Sequence, residues 1–215
     1  MDFQYFLQFV PQFITAELPA LQAHVKMAPL ERITTAPNYS EGNSPRTAAV
    51  LMLCYPKNEK THLALIVRNE YEGVHSAQIA FPGGKYEEED LNFSDTALRE
   101  AHEEIGIHPS QVEIIKAYTQ VYIPPSNFIV YPFFGICHQE INFIPDPSEV
   151  AQIIELPITI LLNDSIIVET EIPTSSTSSI KLPAFKINNH IVWGATAMML
   201  SELKEVLKSI LNTKT

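Results

Sequence analysis

The sequence predicts one domain of the α+β class, an α/β/α sandwich on a mixed β-sheet, and three observations carry that prediction. A short, strongly periodic helix stands in mid-chain with strand-like segments on both sides of it. A longer helical pattern closes the chain. The 215 residues, 46% hydrophobic and 18% charged, suffice to bury one sizeable core.

Taken in order, Phe3, Phe6, Phe9 and Phe13 recur at helical spacing, and Leu18, Leu21 and Val25 continue the pattern. Residues 1–32 are therefore expected to form a helical N-terminal extension packed by one apolar stripe on the domain proper, 33–215. Between residues 33 and 46 the polar run TTAPNYSEGNSPR reads as loop. Strands are predicted from Thr47 to Tyr55 and from His62 to Arg68, joined as a hairpin by PKNEK. The apolar run AQIAFPGGK ends at Pro82, Gly83 and Gly84, where the backbone can turn tightly or approach a ligand. Ser94 then stands as an N-cap before Ala97, Leu98, Ala101 and Ile105, and Gly106 stops that helix. Further strands are expected at 112–121, 129–137, 151–156, 165–171 and 180–187, with a last helix from Ala195 to Leu211. Met198 and Met199 in that helix read as core. Pro145 to Pro147 and Thr174 to Ser179 read as exposed loops.

Fourteen basic residues against twenty-five acidic give a formal charge of −11, which argues against nucleic acid or an anionic membrane as partner. A small anionic substrate requires a metal or local cations to offset that field. Cys54 and Cys137 lie in apolar stretches without ligand spacing and are expected as buried free thiols in a reducing compartment. The N-terminus MDFQYFLQFVPQF lacks the basic start of a secretory signal, and no apolar run reaches the roughly 18 residues of a membrane span. The cytoplasm is the expected location.

The chemistry concentrates on the central helix. Glu100, Glu103 and Glu104 are three and four residues apart, so their carboxylates share one face. Like charges so placed destabilise a helix unless a cation sits among them, and carboxylate oxygens are what Mg²⁺ and Mn²⁺ take. A solvated acidic face, with Arg99 paired to Glu103 one turn on, accounts for the same residues. The Gly-Gly turn and acidic run just upstream favour the metal.

With that context the segment from Gly84 to Ile107 resembles the Nudix box, G-x5-E-x7-R-E-U-x-E-E-x-G-U with U a bulky aliphatic. Gly84, Arg99, Glu100, Glu103, Glu104, Gly106 and Ile107 fall in register. Asp90 stands where the first acid is usually Glu, eight residues instead of seven separate it from Arg99, and Ala101 replaces a larger aliphatic. The extra residue falls in the loop before the helix, which puts Asp90 out of register. The resemblance implies a Nudix-type sandwich that hydrolyses pyrophosphates with Mg²⁺ or Mn²⁺. It implies Glu100 and Glu104 as principal metal ligands, Glu103 as a further ligand or water-orienting group, and Arg99 as the lock on the carboxylates. Glu149, in DPSEVAQ, is the candidate general base, or else an ordinary exposed acid.

Two flanking stretches, LALIVRNEYEGVHSAQIAFPGG and PSNFIVYPFFG, are similar to the coenzyme A pyrophosphatase subgroup, as is RTAAVLMLCYP from Arg46. Ala77 and Asn127 stand where that subgroup commonly has glycine. The similarity implies coenzyme A or its derivatives as the small-molecule substrate. Arg68, His75, Gln78 and Gly84 become candidate substrate-binding residues, though each of the first three also fits a structural hydrogen bond. Another nucleoside diphosphate derivative, such as NADH, ADP-ribose or a dNTP, is the first alternative, and a non-catalytic Nudix-fold binding module the second. A homodimer through the helical prefix stays open.

Overall fold

The structure, a computed structural model, describes residues 1–28, 44–69, 78–173 and 179–212. Strands β1 (Arg46–Lys57) and β2 (Lys60–Arg68) make the expected hairpin, with Lys57 opposite Lys60. Its two turn residues, Asn58 and Glu59, both have positive φ, 48° and 61°, the geometry that matches the twist of a tight hairpin. β3 (Ile79–Ala80) and β8 (Val150–Pro157) pair antiparallel with β2. β4 (Gly83–Lys85) pairs with the first half of β1. On the other side of β1 runs β7 (Phe128–Cys137), parallel to it over nine residues, and β5 (Val112–Ala117) and β6 (Val121–Ile123) pair antiparallel with β7. This mixed sheet has eight strands among the described residues. β9 (Ile167–Pro173), β10 (Ser179–Ile187) and β11 (His190–Val192) form a separate antiparallel sheet.

β1 explains why the sheet is covered on both faces. Its side chains alternate, and both sets are buried: Ala48, Val50, Met52 and Cys54 in one cluster, Ala49, Leu51, Leu53 and Tyr55 in the other. The first cluster is completed by α1 (Phe3–Leu7), α2 (Val10–Thr15) and α6 (Gly194–Asn212), through Phe6, Phe13, Leu203 and Leu207 among others. The second is covered by α4 (Phe93–Ile105), which lays Ala97, Ala101 and Ile105 on the sheet. α3 (Leu21–His24) packs on α6, and α5 (Ile158–Leu162) follows β8. No helix among the described residues is long and apolar enough to cross a membrane.

Several elements differ from expectation. The N-terminal helix is two short helices broken at Gln8–Phe9, yet Phe3, Phe6, Phe9 and Phe13 are all fully buried. After Pro19 the phase shifts: Leu21 is exposed, and Ala23, His24 and Met27 point inward instead. The reason is Ala20, held at φ 47° while its N–H donates to Glu202, a buried carboxylate on α6 that also accepts from Thr119. The cap of α4 is Asn92 and not Ser94; its side chain accepts the N–H groups of Ser94 and Asp95, so Ser94 falls inside the first turn. Gly106 ends α4 in the left-handed conformation, φ 75°, with Ile144 packed where a Cβ would stand. Predicted strand 112–121 is two strands, and the loop predicted at Thr174 to Ser179 lies, up to residue 178, outside the described residues.

Candidate active site

Three local features converge at the first half of β1. The first is the turn into β4. Gly83 passes so near the Ala49 carbonyl and Val50 that no side chain fits, and Gly84 faces the Glu100 carboxylate where a Cβ would otherwise be. The second is α4, whose small Ala97 and Ala101 let the helix settle on the sheet and bring Glu100 and Glu104 down beside that turn. The third is a register shift between β2 and β8, where Val67 faces Gln152 but Arg68 faces Val150. Bulges of this kind re-aim side chains. Here Arg68 reaches Glu104.

The three glutamates are not equivalent. Glu104 is 1% exposed in its side chain, Glu100 13% and Glu103 55%, so the acidic face expected from the sequence is mostly interior. Glu104 Oε2 accepts the Gly83 N–H at 2.8 Å, and Oε1 accepts from Arg68 Nη1 at 3.2 Å. Burial pushes the Glu104 carboxyl up to about 7, with Gly83 and Arg68 pulling it down and the charges of Glu100 and Glu149 adding to the rise. Burial also raises Glu100, against the opposing pull of Arg99.

Arg99 organises the rest. Its Nε and Nη2 donate to the two oxygens of Asp90 at 2.8 and 3.0 Å. Nη1 donates to Glu100 at 3.0 Å and Glu103 at 3.1 Å, and Nη2 also to the Lys85 carbonyl at 3.0 Å. Those five bonds use all five guanidinium N–H groups. Asp90, first among its partners, holds the guanidinium above its ordinary pKa. Arg99 in turn holds the Asp90 carboxyl down at about 2. The buried Asp90 further accepts from Thr96 Oγ1 at 2.8 Å and the Glu87 N–H at 3.0 Å. In the sequence Asp90 stands out of register with the box. The longer loop absorbs the extra position and returns Asp90 to Arg99, a pairing that the acid just upstream of the Asn92 cap could have signalled.

Glu149 stands at the rim, 51% exposed, with Oε2 at 3.9 Å from Arg68 Nη2. Its loop is tied to the end of α4, since Ile144 and Asp146 donate their N–H groups to the carbonyls of Ile105 and Glu104. Asn69 fixes the other side, its N–H on the Glu149 carbonyl and its side chain on that of Pro147. Gln78 accepts the Arg68 N–H on its carbonyl at 3.0 Å. The structure thus gathers Arg68, Gln78, Gly84, Arg99, Glu100, Glu103, Glu104 and Glu149 in one region, whereas His75 lies outside the described residues. Cys54 and Cys137 are buried and unpaired, away from these groups.

No group of three carboxylate, imidazole or thiol side chains among the described residues is gathered closely enough to enclose a metal ion, because Arg99, Arg68 and Gly83 each hold carboxylate oxygens. The donor set nonetheless fits a hard divalent cation. It is all oxygen, and two of its carboxylates carry the raised pKa of buried like charges.

A mixed sheet between helical layers, with a Gly-Gly turn apposed to an Arg-Glu-x-x-Glu-Glu helix, defines the Nudix class of phosphoanhydride hydrolases. Residues 45–167 match the NUDIX domain family, and the chain belongs to it. It is 30% identical over 171 residues to an uncharacterized Nudix hydrolase, NudL, of an Enterobacter species, covering 78% of this chain and 86% of that one. It is 35% identical over 124 residues to the mitochondrial Nudix hydrolase 15 of Arabidopsis thaliana, covering 56% of this chain but only 43% of the plant protein. The peroxisomal coenzyme A diphosphatase of Mus musculus is 28% identical over 148 residues, 69% of this chain and 62% of that protein. Among solved structures, the Nudix hydrolase RenU of M. smegmatis superimposes with a TM-score of 0.53 at 16% identity, covering 77% of this chain and 88% of that one, a likeness of fold.

Proposed function

We propose that the protein hydrolyses the pyrophosphate bond of coenzyme A or its derivatives, giving 4′-phosphopantetheine or its acyl form and adenosine 3′,5′-bisphosphate. The observation that carries the hydrolytic part is the convergence of Glu104, buried, and Glu100, mostly buried, both raised in pKa, under the Gly83–Gly84 turn. What supports coenzyme A is the mouse diphosphatase among the relatives, together with the flanking stretches around Arg68 and Ser126 that resemble the same subgroup.

Nudix hydrolases generally use divalent metal ions, and Mg²⁺ or Mn²⁺ would be held here by Glu100, Glu103 and Glu104. Bound there, such an ion would supply charge neutralisation at the phosphates and a more acidic water for in-line attack. The protein's own residues set the stage for that reaction. Arg99 fixes Glu100 and Glu103 against Asp90, and the Gly83 N–H and Arg68 fix Glu104. Glu149, exposed at the rim and leaning on Arg68, takes the proton of the attacking water. Gly84 leaves the backbone bare, so that the Glu100 carboxylate can lie against the turn.

A panel of coenzyme A, acetyl-coenzyme A, NADH, ADP-ribose and dNTPs, with Mg²⁺ or Mn²⁺ and products separated by chromatography, tests this reading. Coenzyme A or its thioester is expected to be cleaved with the highest kcat/KM. Preference for any compound without the pantetheine arm refutes it. We also place the protein in the cytoplasm, in keeping with its two unpaired buried thiols.

A further inference from the structure

The stretches RTAAVLMLCYP, from Arg46, and PSNFIVYPFFG, whose Arg46, Ser126 and Phe128 the hydrolytic mechanism leaves unused, meet in space. Arg46 opens β1, directly opposite Phe128 in the parallel register with β7. Its N–H donates to the Asn127 carbonyl at 2.9 Å and its Nη2 to the Ser126 carbonyl at 2.9 Å. Its guanidinium lies 4.1 Å from the centroid of the Phe128 ring. The side chain is nonetheless exposed. Among the described residues Arg68 and Arg99 are committed to carboxylates, whereas Arg46 has none. The bond to the Ser126 carbonyl takes one guanidinium N–H and leaves most of its five donors to meet an anion.

A second cation stands near it. Lys85 pairs with Ala48, two residues beyond Arg46 on the same face of β1, so the two residues form a diagonal pair roughly 7–8 Å apart, within reach of long side chains. Lys85 is exposed, and no carboxylate pairs with it among the described residues. Ser126 Oγ, beside the carbonyl that holds Arg46, is buried without a hydrogen-bond partner. The place lies near the pyrophosphate site along β1 but on the other face of the sheet, since Ala48 packs in the first cluster and Ala49 in the second. Ala49 pairs with Gly84, which faces Glu100, and Arg46 lies three residues back along the strand, roughly 10 Å. β4 pairs only with β1 among the described residues, so a ligand can lie across its outer edge and reach both faces of the sheet.

We propose that Arg46 and Lys85 form an anion subsite for a phosphomonoester carried on the nucleotide half of the substrate, which rests on the coenzyme A reading and sharpens it. In a chain of net charge −11, two exposed cations without acidic partners among the described residues suit a dianionic group, and the planar fork of Arg46, braced on Phe128, can present two parallel donors to it. On the adenosine half, a phosphate on the ribose is what separates coenzyme A from NADH and ADP-ribose, so the subsite selects among pyrophosphates that the glutamates treat alike.

The experiment compares kcat/KM for coenzyme A and dephospho-coenzyme A in the full chain and its R46Q, R46K and K85Q variants. The wild type should favour coenzyme A ten-fold or more, chiefly through KM. R46Q should cut that ratio at least five-fold, K85Q should lower it too, and R46K should keep part of it. Thermal shifts with adenosine 3′,5′-bisphosphate and with AMP are read on the same proteins, and the preference for the bisphosphate should fall in R46Q. Equal kcat/KM on both substrates in the wild type overturns the subsite and leaves the coenzyme A reading standing. Cleavage of neither overturns that reading, while a bisphosphate preference lost in R46Q would still support the subsite. Parallel loss on both substrates in R46Q and K85Q, with the ratio unchanged, means a structural brace on β7 and overturns the proposal.

Discussion

Arg99 spends every N–H it has, two on Asp90, one each on Glu100 and Glu103, and one on the Lys85 carbonyl, and this makes its shape matter as much as its charge. A lysine keeps the charge but has three donors on a single atom. Arg99→Lys is therefore expected to lower kcat by two orders of magnitude or more with the fold preserved by circular dichroism; activity within a factor of three would remove Arg99 from its bracing role. Asp90 supplies the other half of the brace. Its folded pKa of about 2 lies below the ordinary 3.8, so the folded state binds fewer protons than the unfolded chain. The pair's contribution, roughly 2 kcal/mol, is thus complete above about pH 4 and lost as pH falls toward 2. Denaturant unfolding of wild type and Asp90→Asn should differ by about that amount at pH 7, and the gap should narrow at pH 3. Glu104→Gln keeps an oxygen for the Gly83 N–H but removes the buried charge, so turnover should vanish while the melting temperature holds or rises. Near-normal kcat in that variant would count against Glu104 as a metal ligand.

At the level of elements, the site is the apposition of a bare turn and a helix face. Gly84→Ala would drive a methyl group into the Glu100 carboxylate, and the expected result is a loss of kcat of at least ten-fold with a small change in stability, read by steady-state kinetics beside a melting curve. Much of this apposition was legible in the sequence, because the glycines, the Arg-Glu-x-x-Glu-Glu spacing and the alternating strand β1 each follow from local rules. The position of Asp90 was not legible, since loop length does not say where a loop returns, and only the fold brings it 2.8 Å from Arg99. The partnership of Arg68 with Glu104 was hidden for a similar reason: a strand-end arginine is free or paired according to a register shift with β8, 82 positions further along for Arg68↔Val150. The small sheet of β9, β10 and β11 was only partly visible, as its strands pack on α6 and the N-terminal helices and not on the main sheet's pattern. Tertiary partners decided these features, whereas periodicity decided the rest.

For the molecule as a whole, the aromatic stripe of the first helices and the last helix share a core with the central sheet, so the first fifteen residues are expected to unfold with everything else. Phe13 is fully buried against Phe134, ring centroids 5.2 Å apart, and Phe13→Ala should lower the unfolding free energy by about 3–5 kcal/mol in a single transition. Two separated transitions would mean that the prefix is held independently. Adding Mg²⁺ or Mn²⁺ to chelator-treated protein should raise the melting temperature, by less in Glu100→Gln, because a bound cation relieves buried like charges. The same shared core sets a timetable for synthesis. Phe134 emerges about 120 residues after Phe13, and at roughly 5–20 residues per second the stripe waits about 6–24 seconds for the surface that covers it. During that interval Phe3, Phe6, Phe9 and Phe13 lack the Phe134 side of their core, and they are an apolar stripe that a ribosome-bound chaperone would hold.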